Sequence, residues 1–365
     1  MISSKERNIK VVFAGTYNES EILTGPEKVC KRIFTEYTKT RQTLFIDYFR
    51  DGSKYGSFKK IFGYEKVTEV NKSQVHRLGI FRMLIRLFKL NPEIIHILSF
   101  ERYTAFIFIL KLFTRCKIYY TANGIIRHEN KYYNKESVIS MVKNIIAESV
   151  IMYFSDIVFY LSDRSKNLIL QYYRIDKLKL KTARNGLDDC FLNLPDEYAE
   201  KEINSIVFIG DLDRKEKGGD FLLDALSRVD LSFNLYIVTD NKSLSDYQIN
   251  NLSKVIFISK LKPVDLAYFL VNKNIIVASG EYDQFNIALL EGISCGMYPV
   301  LTLQTGISEV VSSIVKCSFV EYGDTEKLSG IISSLINNKV TLNSKPDLGA
   351  FSWENVFKKH YLKYY

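Results

Sequence analysis

The chain has 365 residues, 47% of them hydrophobic and 25% charged, a composition typical of a globular protein long enough to form two domains. The longest apolar run, residues 103–113, is interrupted by Lys111 and is too short to span a bilayer. Because the N-terminus is polar and the five cysteines are scattered without paired spacing, the sequence predicts a cytoplasmic protein with reduced thiols and argues against a zinc site.

Short hydrophobic strands alternate with helices in the first half of the chain, a pattern that predicts a parallel sheet covered on both faces. The predicted strands are residues 9–15, 43–48, 94–98, 117–121 and 157–161. The first helix has a clear start, since Thr24 and Glu27 have the spacing of a capping box and Pro26 fits the first turn. Gly15 and Gly25 bracket the loop before this helix, and such a loop can lie against a phosphate.

The charge is unevenly distributed along the chain. Residues 1–185 contain 33 Lys and Arg against 17 Asp and Glu, whereas residues 186–365 contain 17 against 24. A basic half favours an anionic partner, such as a lipid headgroup surface, a lipid pyrophosphate or nucleic acid, although a Lys-rich surface without such a partner is an equal alternative. Residues 75–90 alternate Arg and Lys with Leu, Ile and Phe. They predict a basic amphipathic helix, either in contact with an anionic membrane surface or packed on its domain.

Residues 121–124, Thr-Ala-Asn-Gly, follow a predicted strand, at the edge where ligands of open parallel sheets bind. Asn123 can donate a hydrogen bond there but cannot carry a proton, whereas the nearby His128 can. A lone histidine is more often structural, so the sequence leaves the role of His128 open.

Asn185-Gly186 marks a turn at which the charge balance changes sign, and we place the junction between two domains there. Residues 1–187 form the predicted first domain and residues 188–349 the second. The second half continues the alternation of strands and helices. Its predicted strands are residues 205–210, 234–239, 255–258, 275–279 and 298–302, and its predicted helices are residues 219–227, 263–271, 287–295 and 326–337.

Residues 206–226 place a strand, a charged loop and a helix in series. Arg214, Lys215 and Lys217 lie in the loop, where cations could neutralise a diphosphate leaving group. The alternative is a solvated loop of mixed charge.

Residues 277–300 indicate a buried strand, a loop, a helix beginning near Ile287, and a second strand. The free amides and positive dipole end of such a helix suit a phosphate. Asp283 in the loop and Glu291 inside the helix are eight residues apart, so both can face a ligand at the helix start and accept from sugar or ribose hydroxyls. Glu281 is a rival for the role of Asp283, and an acid that only stabilises the helix dipole is the alternative.

This last segment resembles the donor-site signature of the family 4 retaining glycosyltransferases, which have two Rossmann-like domains in the glycosyltransferase-B (GT-B) arrangement. The matching positions are Phe285, Glu291, Gly296, Pro299 and Val300. Asp283 stands where a Glu is usual, and Asn286 stands where a Gly is usual. Asn tolerates left-handed backbone angles better than most residues, so the loop can keep its shape.

Other positions extend the resemblance. Lys217 matches the Lys of the family's diphosphate loop, whereas Asp211 stands where an Arg is usual and Asn123 where a His is common. Further matches are Gly25-Pro26, Asn185 to Asp188, Thr305, Gly306, Glu309 and a closing helix in residues 350–365 that returns to the first domain. The resemblance implies that the donor is bound by Arg214, Lys217, Phe285, Asn286, Ile287, Glu291 and Gly25. It also implies that Asp283 and Asn123 act at the transferred sugar.

The resemblance implies an α/β fold of two Rossmann-like domains facing a cleft. It implies transfer of a sugar from a nucleotide diphosphate donor, with a UDP-sugar favoured, to a glycan or lipid-linked acceptor, with retained configuration and without a metal or other cofactor. The expected context is bacterial surface polysaccharide, capsule or lipopolysaccharide synthesis at the inner face of the cell membrane, without nucleic acid. Two alternatives stay open. One is a non-catalytic relative that binds a partner protein, because Asp211, Asn123 and Asn286 depart from the pattern. The other is a nucleotide-sugar epimerase on the same fold.

Overall fold

The computed structural model describes residues 9–49, 57–132, 137–194, 200–241, 253–342 and 346–365. It divides into two compact units. Unit 1 comprises Met1–Leu161, Ser165–Arg184 and Trp353–Tyr365, and unit 2 comprises Ser162–Arg164 and Asn185–Ser352. The units therefore divide at residues 184 and 185, where the sequence places the junction at 187 and 188, and the chain returns to unit 1 at residue 353 rather than 350.

The described part of the chain contains fourteen strands and thirteen α-helices. The strands are β1 (Val11–Ala14), β2 (Leu44–Tyr48), β3 (Tyr64–Val70), β4 (Ser73–Leu78), β5 (Ile94–Ile97), β6 (Lys117–Thr121), β7 (Ile157–Tyr160), β8 (Leu180–Thr182), β9 (Glu202–Ile209), β10 (Asn234–Val238), β11 (Lys254–Ile258), β12 (Lys273–Ala278), β13 (Tyr298–Thr302) and β14 (Ser318–Val320). The helices are α1 (Gly25–Thr38), α2 (Ser57–Phe62), α3 (Ile80–Leu90), α4 (Ile126–Glu129), α5 (Val138–Phe154), α6 (Asp163–Tyr172), α7 (Asp189–Leu192), α8 (Gly219–Ser227), α9 (Pro263–Leu270), α10 (Ile287–Ser294), α11 (Ser308–Val311), α12 (Thr325–Asn337) and α13 (Trp353–Val356).

Unit 1 is built on an eight-stranded sheet in the order β3-β4-β2-β1-β5-β6-β7-β8. Every neighbouring pair is parallel except β3 and β4, which form an antiparallel edge. The central strands are buried on both faces, which explains why β1 is hydrophobic throughout and β5 is hydrophobic except for the buried His96. A long 3-10 helix, Arg102–Leu112, follows β5. Within the described ranges, no helix combines the length and hydrophobicity that a bilayer-spanning segment needs.

The prediction of one amphipathic helix over residues 75–90 is wrong in its first third. Residues 75–78 belong to β4, and the helix α3 begins at Ile80. The break falls at Gly79, where a Cβ atom would lie 2.5 Å from the backbone carbon of Ile61. Only glycine allows this close approach, so the chain turns from strand to helix there.

Unit 2 is built on a six-stranded sheet in the order β11-β10-β9-β12-β13-β14 with all neighbours parallel. The chain runs outward from β9 to β11, and then resumes on the other side of β9 at β12. The strand order therefore reverses between β9 and β12, and the loops that follow these two strands leave the same edge of the sheet in opposite directions. In doubly wound sheets such a switch point is where ligands bind.

Candidate functional site

The switch point of unit 2 carries the two charged residues that the sequence singles out most strongly. Lys217 lies in the loop after β9, and Asp283 lies in the loop after β12. Both line a small pocket together with residues from the ends of β9 and β12 and the start of α10. The pocket has a volume of about 10 Å³, room for about one water molecule.

The two loops are held against each other by backbone contacts. Gly218 has a φ of +69°, and a Cβ atom at this position would lie 2.0 Å from the carbonyl oxygen of Ser279. The Ser279 hydroxyl donates to the Gly218 carbonyl at 2.9 Å, and the Tyr282 amide donates to the Glu216 carbonyl at 3.2 Å. Glycine at position 218 thus allows the two loops to approach closely, and this approach brings Lys217 next to Asp283.

Lys217 and Asp283 form an ion pair, with 2.5 Å between Nζ and Oδ2. The other carboxylate oxygen of Asp283 accepts hydrogen bonds from the amides of Phe285, at 3.1 Å, and Asn286, at 2.8 Å. Burial alone would raise the pKa of Asp283, but the Lys217 ammonium and the two amides outweigh burial and hold the pKa below its ordinary value. Asp283 is therefore ionised at neutral pH.

The start of α10 has the geometry predicted for an anion-binding helix end. Asn286 adopts the left-handed conformation, with φ 59° and ψ 77°, and its side-chain oxygen accepts from the Leu289 amide at 2.8 Å. Among the described residues, no group accepts from the amides of Ile287 and Ala288. The helix end is thus partly satisfied by its own cap, and two amides stay available for a ligand.

The second predicted acid lies inside the same helix. Glu291 is in the second turn of α10 and its residue is 4% exposed, so it is largely covered by the protein. Phe285 is buried as well, with its ring centroid 6.4 Å from that of Phe351. Glu281, the rival acid, is half-buried and does not line the pocket between Lys217 and Asp283.

Arg214 forms an ion pair with Glu216, a residue that the sequence does not single out. Its Nε donates to Glu216 Oε1 at 2.6 Å, and Glu216 is buried. Asp211, at the position where the family has an Arg, accepts from the Thr239 hydroxyl at 2.5 Å. The Arg-x-Glu spacing of residues 214 and 216 was a readable signal for the first contact, whereas the second joins residues 28 positions apart.

The loop containing Thr305, Gly306 and Glu309 contacts the loop that carries Asp283. The Gly306 amide donates to the Asp283 carbonyl at 2.8 Å, and a Cβ atom at Gly306 would lie 2.0 Å from the Gln284 carbonyl oxygen. The Glu309 carboxylate accepts from the amides of Asp163 and Arg164 at 2.8 and 2.9 Å. Glu309 is therefore engaged by backbone amides of its own unit.

Unit 1 carries the remaining predicted residues. Gly25 is the first residue of α1, and no atom lies within 4 Å of a Cβ placed on it. The Thr24 amide donates to Glu27 at 2.9 Å.

Asn123 follows β6, and its side-chain nitrogen donates to the Leu98 carbonyl at 2.6 Å. The Asn123 side-chain oxygen is buried and accepts no hydrogen bond from the described residues. His128 is buried, with Nδ1 3.3 Å from the Tyr172 hydroxyl.

Residues 203–338 match the family model described as glycosyl transferases group 1. This segment is therefore similar to group 1 glycosyltransferases over somewhat more than a third of the chain. It contains Arg214, Lys217, Asp283 and Glu291, so the family match falls on the unit that holds the candidate site. Assignment to family 4 within that group stays a prediction.

Comparison with solved structures extends the likeness to nearly the whole chain. Sucrose-phosphate synthase from Thermosynechococcus elongatus has a TM-score of 0.70 and 13% identity, with 95% of this chain and 96% of that one covered. HepE from Anabaena, solved with UDP and glucose, has a TM-score of 0.68 and 16% identity, with 96% and 98% covered. WaaG, a glycosyltransferase involved in lipopolysaccharide biosynthesis, has a TM-score of 0.62 and 13% identity, with 90% of each chain covered. At these identities the likeness shows the fold, and it confirms the predicted α/β GT-B fold class. No curated protein sequence matches the chain.

Proposed function

We propose that this protein is a retaining glycosyltransferase that moves a hexose or related sugar from a nucleotide diphosphate donor to a glycan or lipid-linked acceptor. The observation that carries the proposal is the convergence of Lys217, Asp283 and the start of α10 at the switch point of a unit that is similar to group 1 glycosyltransferases. An ammonium and open helix amides on one edge of a sheet are the groups that a diphosphate requires.

Five of the predicted residues then have a specific role. Lys217 and the amides of Ile287 and Ala288 bind the diphosphate and stabilise its growing charge as the glycosidic bond breaks. Glu291 accepts from the ribose hydroxyls, and Asp283 accepts from hydroxyls of the transferred sugar. The leaving phosphate assists deprotonation of the acceptor, so the protein contributes positioning and charge stabilisation. We assign Asn123 to the transferred sugar from the family resemblance alone, since in this structure its side-chain nitrogen donates to the Leu98 carbonyl.

The donor base and the biological context are also proposals. A UDP-sugar is favoured because HepE, which shares the fold, was solved with UDP and with UDP-glucose. Surface polysaccharide or lipopolysaccharide synthesis at the cytoplasmic face of a bacterial membrane is favoured because WaaG and the lipopolysaccharide outer core galactosyltransferase WaaB share the fold as well. We propose catalysis without a metal on the basis of the family resemblance.

A second candidate is a non-catalytic relative that binds a partner protein. The specific observation in its favour is that Asp283 and Glu216 already occupy the two cations, Lys217 and Arg214, that would bind a diphosphate. If these pairs do not open for a donor, the pocket holds little more than a water molecule.

Binding of nucleotides separates the two candidates. A thermal-shift panel of nucleotide sugars, followed by calorimetry with the best ligand, is expected to show stabilisation that grows with ligand concentration. Lys217→Ala and Glu291→Ala should lose most of this stabilisation, while Lys254→Ala, an exposed lysine on β11, should keep it. A panel without any stabilising nucleotide would favour the partner-binding candidate, and equal stabilisation of all three variants would refute the site assignment.

A further inference from the structure

Unit 1 exposes a row of aromatic side chains along α2, α3 and the end of the 3-10 helix, which we call the aromatic ridge: Phe58, Phe62, Phe81, Phe88 and Phe113. Ring centroids are 5.3 Å apart for Phe58 and Phe62, 5.4 Å for Phe62 and Phe81, and 6.5 Å for Phe88 and Phe113. All five side chains are exposed, from 39% at Phe62 to 73% at Phe58. Single exposed apolar residues are common, but a group of three contacting phenylalanines and a further contacting pair, all exposed, indicate an interaction surface.

The part of the ridge on α3 follows directly from helix periodicity. Phe81, Ile85 and Phe88 are spaced four and three residues apart, so they lie on one face of the helix, and all three are exposed. Met83, Leu87 and Leu90 form the opposite, buried face of the same helix. Helix α3 is therefore apolar on two faces, and only one of them is used by the core of unit 1.

Beside the ridge, α2 and α3 enclose an open groove of about 670 Å³. Its lining combines the rings of Phe58, Phe62 and Phe81 with Arg82, Arg86 and Lys89. Lys59 and Lys60 on α2 add two further cations, and neither helix contains an Asp or Glu. The surface therefore has an apolar crest, formed by the phenylalanine rings of the aromatic ridge, and a positively charged flank, formed by the five Lys and Arg residues of α2 and α3.

We propose that the aromatic ridge and its cationic flank dock the protein on an anionic lipid bilayer. Phenylalanine rings at the crest insert into the boundary between headgroups and acyl chains, while Arg and Lys extend their charged ends to the lipid phosphates. Charge complementarity decides the occupant, because two helices that carry five Lys and Arg residues and no Asp or Glu in their sequences suit a surface of negative lipid headgroups. At eleven residues α3 is too short to cross a bilayer and lies in its plane.

The inference does not depend on the proposed transferase activity, since the ridge belongs to unit 1 and the candidate donor site to unit 2. The assay therefore contains no nucleotide. The purified full-length protein is floated with vesicles of phosphatidylcholine alone, and with vesicles of equal parts phosphatidylcholine and phosphatidylglycerol, at low and high salt. Binding is expected on the anionic vesicles and should weaken with salt.

Two variants distinguish the crest from the flank. Phe58→Ser with Phe81→Ser should weaken binding at least about tenfold by removing inserted apolar area. Its matched control, Leu178→Ser with Tyr268→Ser, removes two large side chains elsewhere that are at least as exposed and should bind like the unmodified protein. Arg82→Gln with Arg86→Gln and Lys89→Gln should weaken binding on the order of 100-fold, and only on anionic vesicles.

A matched charge control is the triple variant with Gln at the exposed residues Lys254, Lys316 and Lys327. Circular dichroism of every variant checks that the fold is kept. The proposal is overturned if the unmodified protein stays off the anionic vesicles, or if ridge and control variants bind equally. It is also overturned if sedimentation shows a dimer that Phe58→Ser with Phe81→Ser separates into monomers, because the ridge would then be a self-association surface.

Discussion

Replacement of Gly218 by Ala is the sharpest test of how the two loops of the candidate site are joined. Gly218 has a φ of +69° and a ψ of 34°, so an alanine there adopts the left-handed conformation, at about 1–2 kcal/mol. Its Cβ would also lie 2.0 Å from the Ser279 carbonyl oxygen, a contact that only a backbone shift can relieve. Overpacking of this kind costs about 1–3 kcal/mol. Together the two effects predict a loss of about 3 kcal/mol in the free energy of unfolding.

Gly323→Ala is the matched control, because Gly323 also has a positive φ, +95°, but no atom within 4 Å of an added Cβ. It should lose only the conformational part, about 1–2 kcal/mol. Both values come from urea denaturation followed by circular dichroism. Because the shift at residue 218 moves the neighbouring Lys217, Gly218→Ala should also lose stabilisation by the preferred nucleotide, which Gly323→Ala keeps. Equal losses of unfolding free energy in the two variants would show that the Gly218–Ser279 contact is not tight, and the reasoning would fail.

Three further predictions concern a buried acid, a helix glycine and the ion pair. Burial raises the pKa of Glu148 from its ordinary 4.5 to about 8, so the folded protein binds this proton more tightly than the unfolded chain does. The proton on Glu148 therefore stabilises the folded protein fully below pH 4.5, and this stabilisation is lost as the pH rises toward 8. Glu148→Gln, which does not titrate, should therefore be more stable than the unmodified protein by on the order of 3 kcal/mol at pH 7 and by little at pH 4.5, as measured by denaturation at both pH values. Gly330→Ala should raise the free energy of unfolding by about 1 kcal/mol, because Gly330 is inside α12 with open space around an added Cβ; an unchanged or lower melting temperature would contradict this. Asp283→Asn should bind UDP at least as tightly as the unmodified protein but gain less affinity from an attached sugar, and calorimetry that showed the same gain would remove Asp283 from the sugar site.

The parallel strands were predictable because their burial on both faces leaves a direct trace in the sequence. Residues 275–279 were expected as a strand, and β12 spans Lys273–Ala278 with every residue buried. The sequence analysis does not predict the antiparallel edge strand β3. This strand is only partly buried, so its sequence, Tyr-Glu-Lys-Val-Thr-Glu-Val, has no continuous hydrophobic run. Residues 75–78 were assigned to a helix because a short apolar stretch has no clear period of its own, and only the packing at Gly79 shows where the strand ends.

At the site, the sequence identified residue types and local shape better than it identified partners. The left-handed conformation at Asn286 agrees with the family resemblance, in which a Gly is usual at this position, because Asn tolerates that backbone region. The contact between Lys217 and Asp283 joins residues 66 positions apart, and no local pattern encodes it. It follows from topology instead, because both residues lie in loops that follow two neighbouring strands, β9 and β12. Arg214 was assigned to the donor, but the nearer acid Glu216 engages it in this structure.

The ion pair at the switch point is compatible with donor binding, because only one of the three contacts of the Asp283 carboxylate needs to change. A diphosphate carries at least twice the charge of a carboxylate, so it attracts Lys217 more strongly than Asp283 does at equal distance. When Lys217 turns to the diphosphate, Asp283 keeps the hydrogen bonds from the amides of Phe285 and Asn286, which fix the carboxylate in place. The oxygen that Lys217 leaves, Oδ2, becomes free to accept from a sugar hydroxyl. Under the proposed function, Lys217 and Asp283 thus hold each other in position before the donor arrives, and binding replaces one strong contact with two.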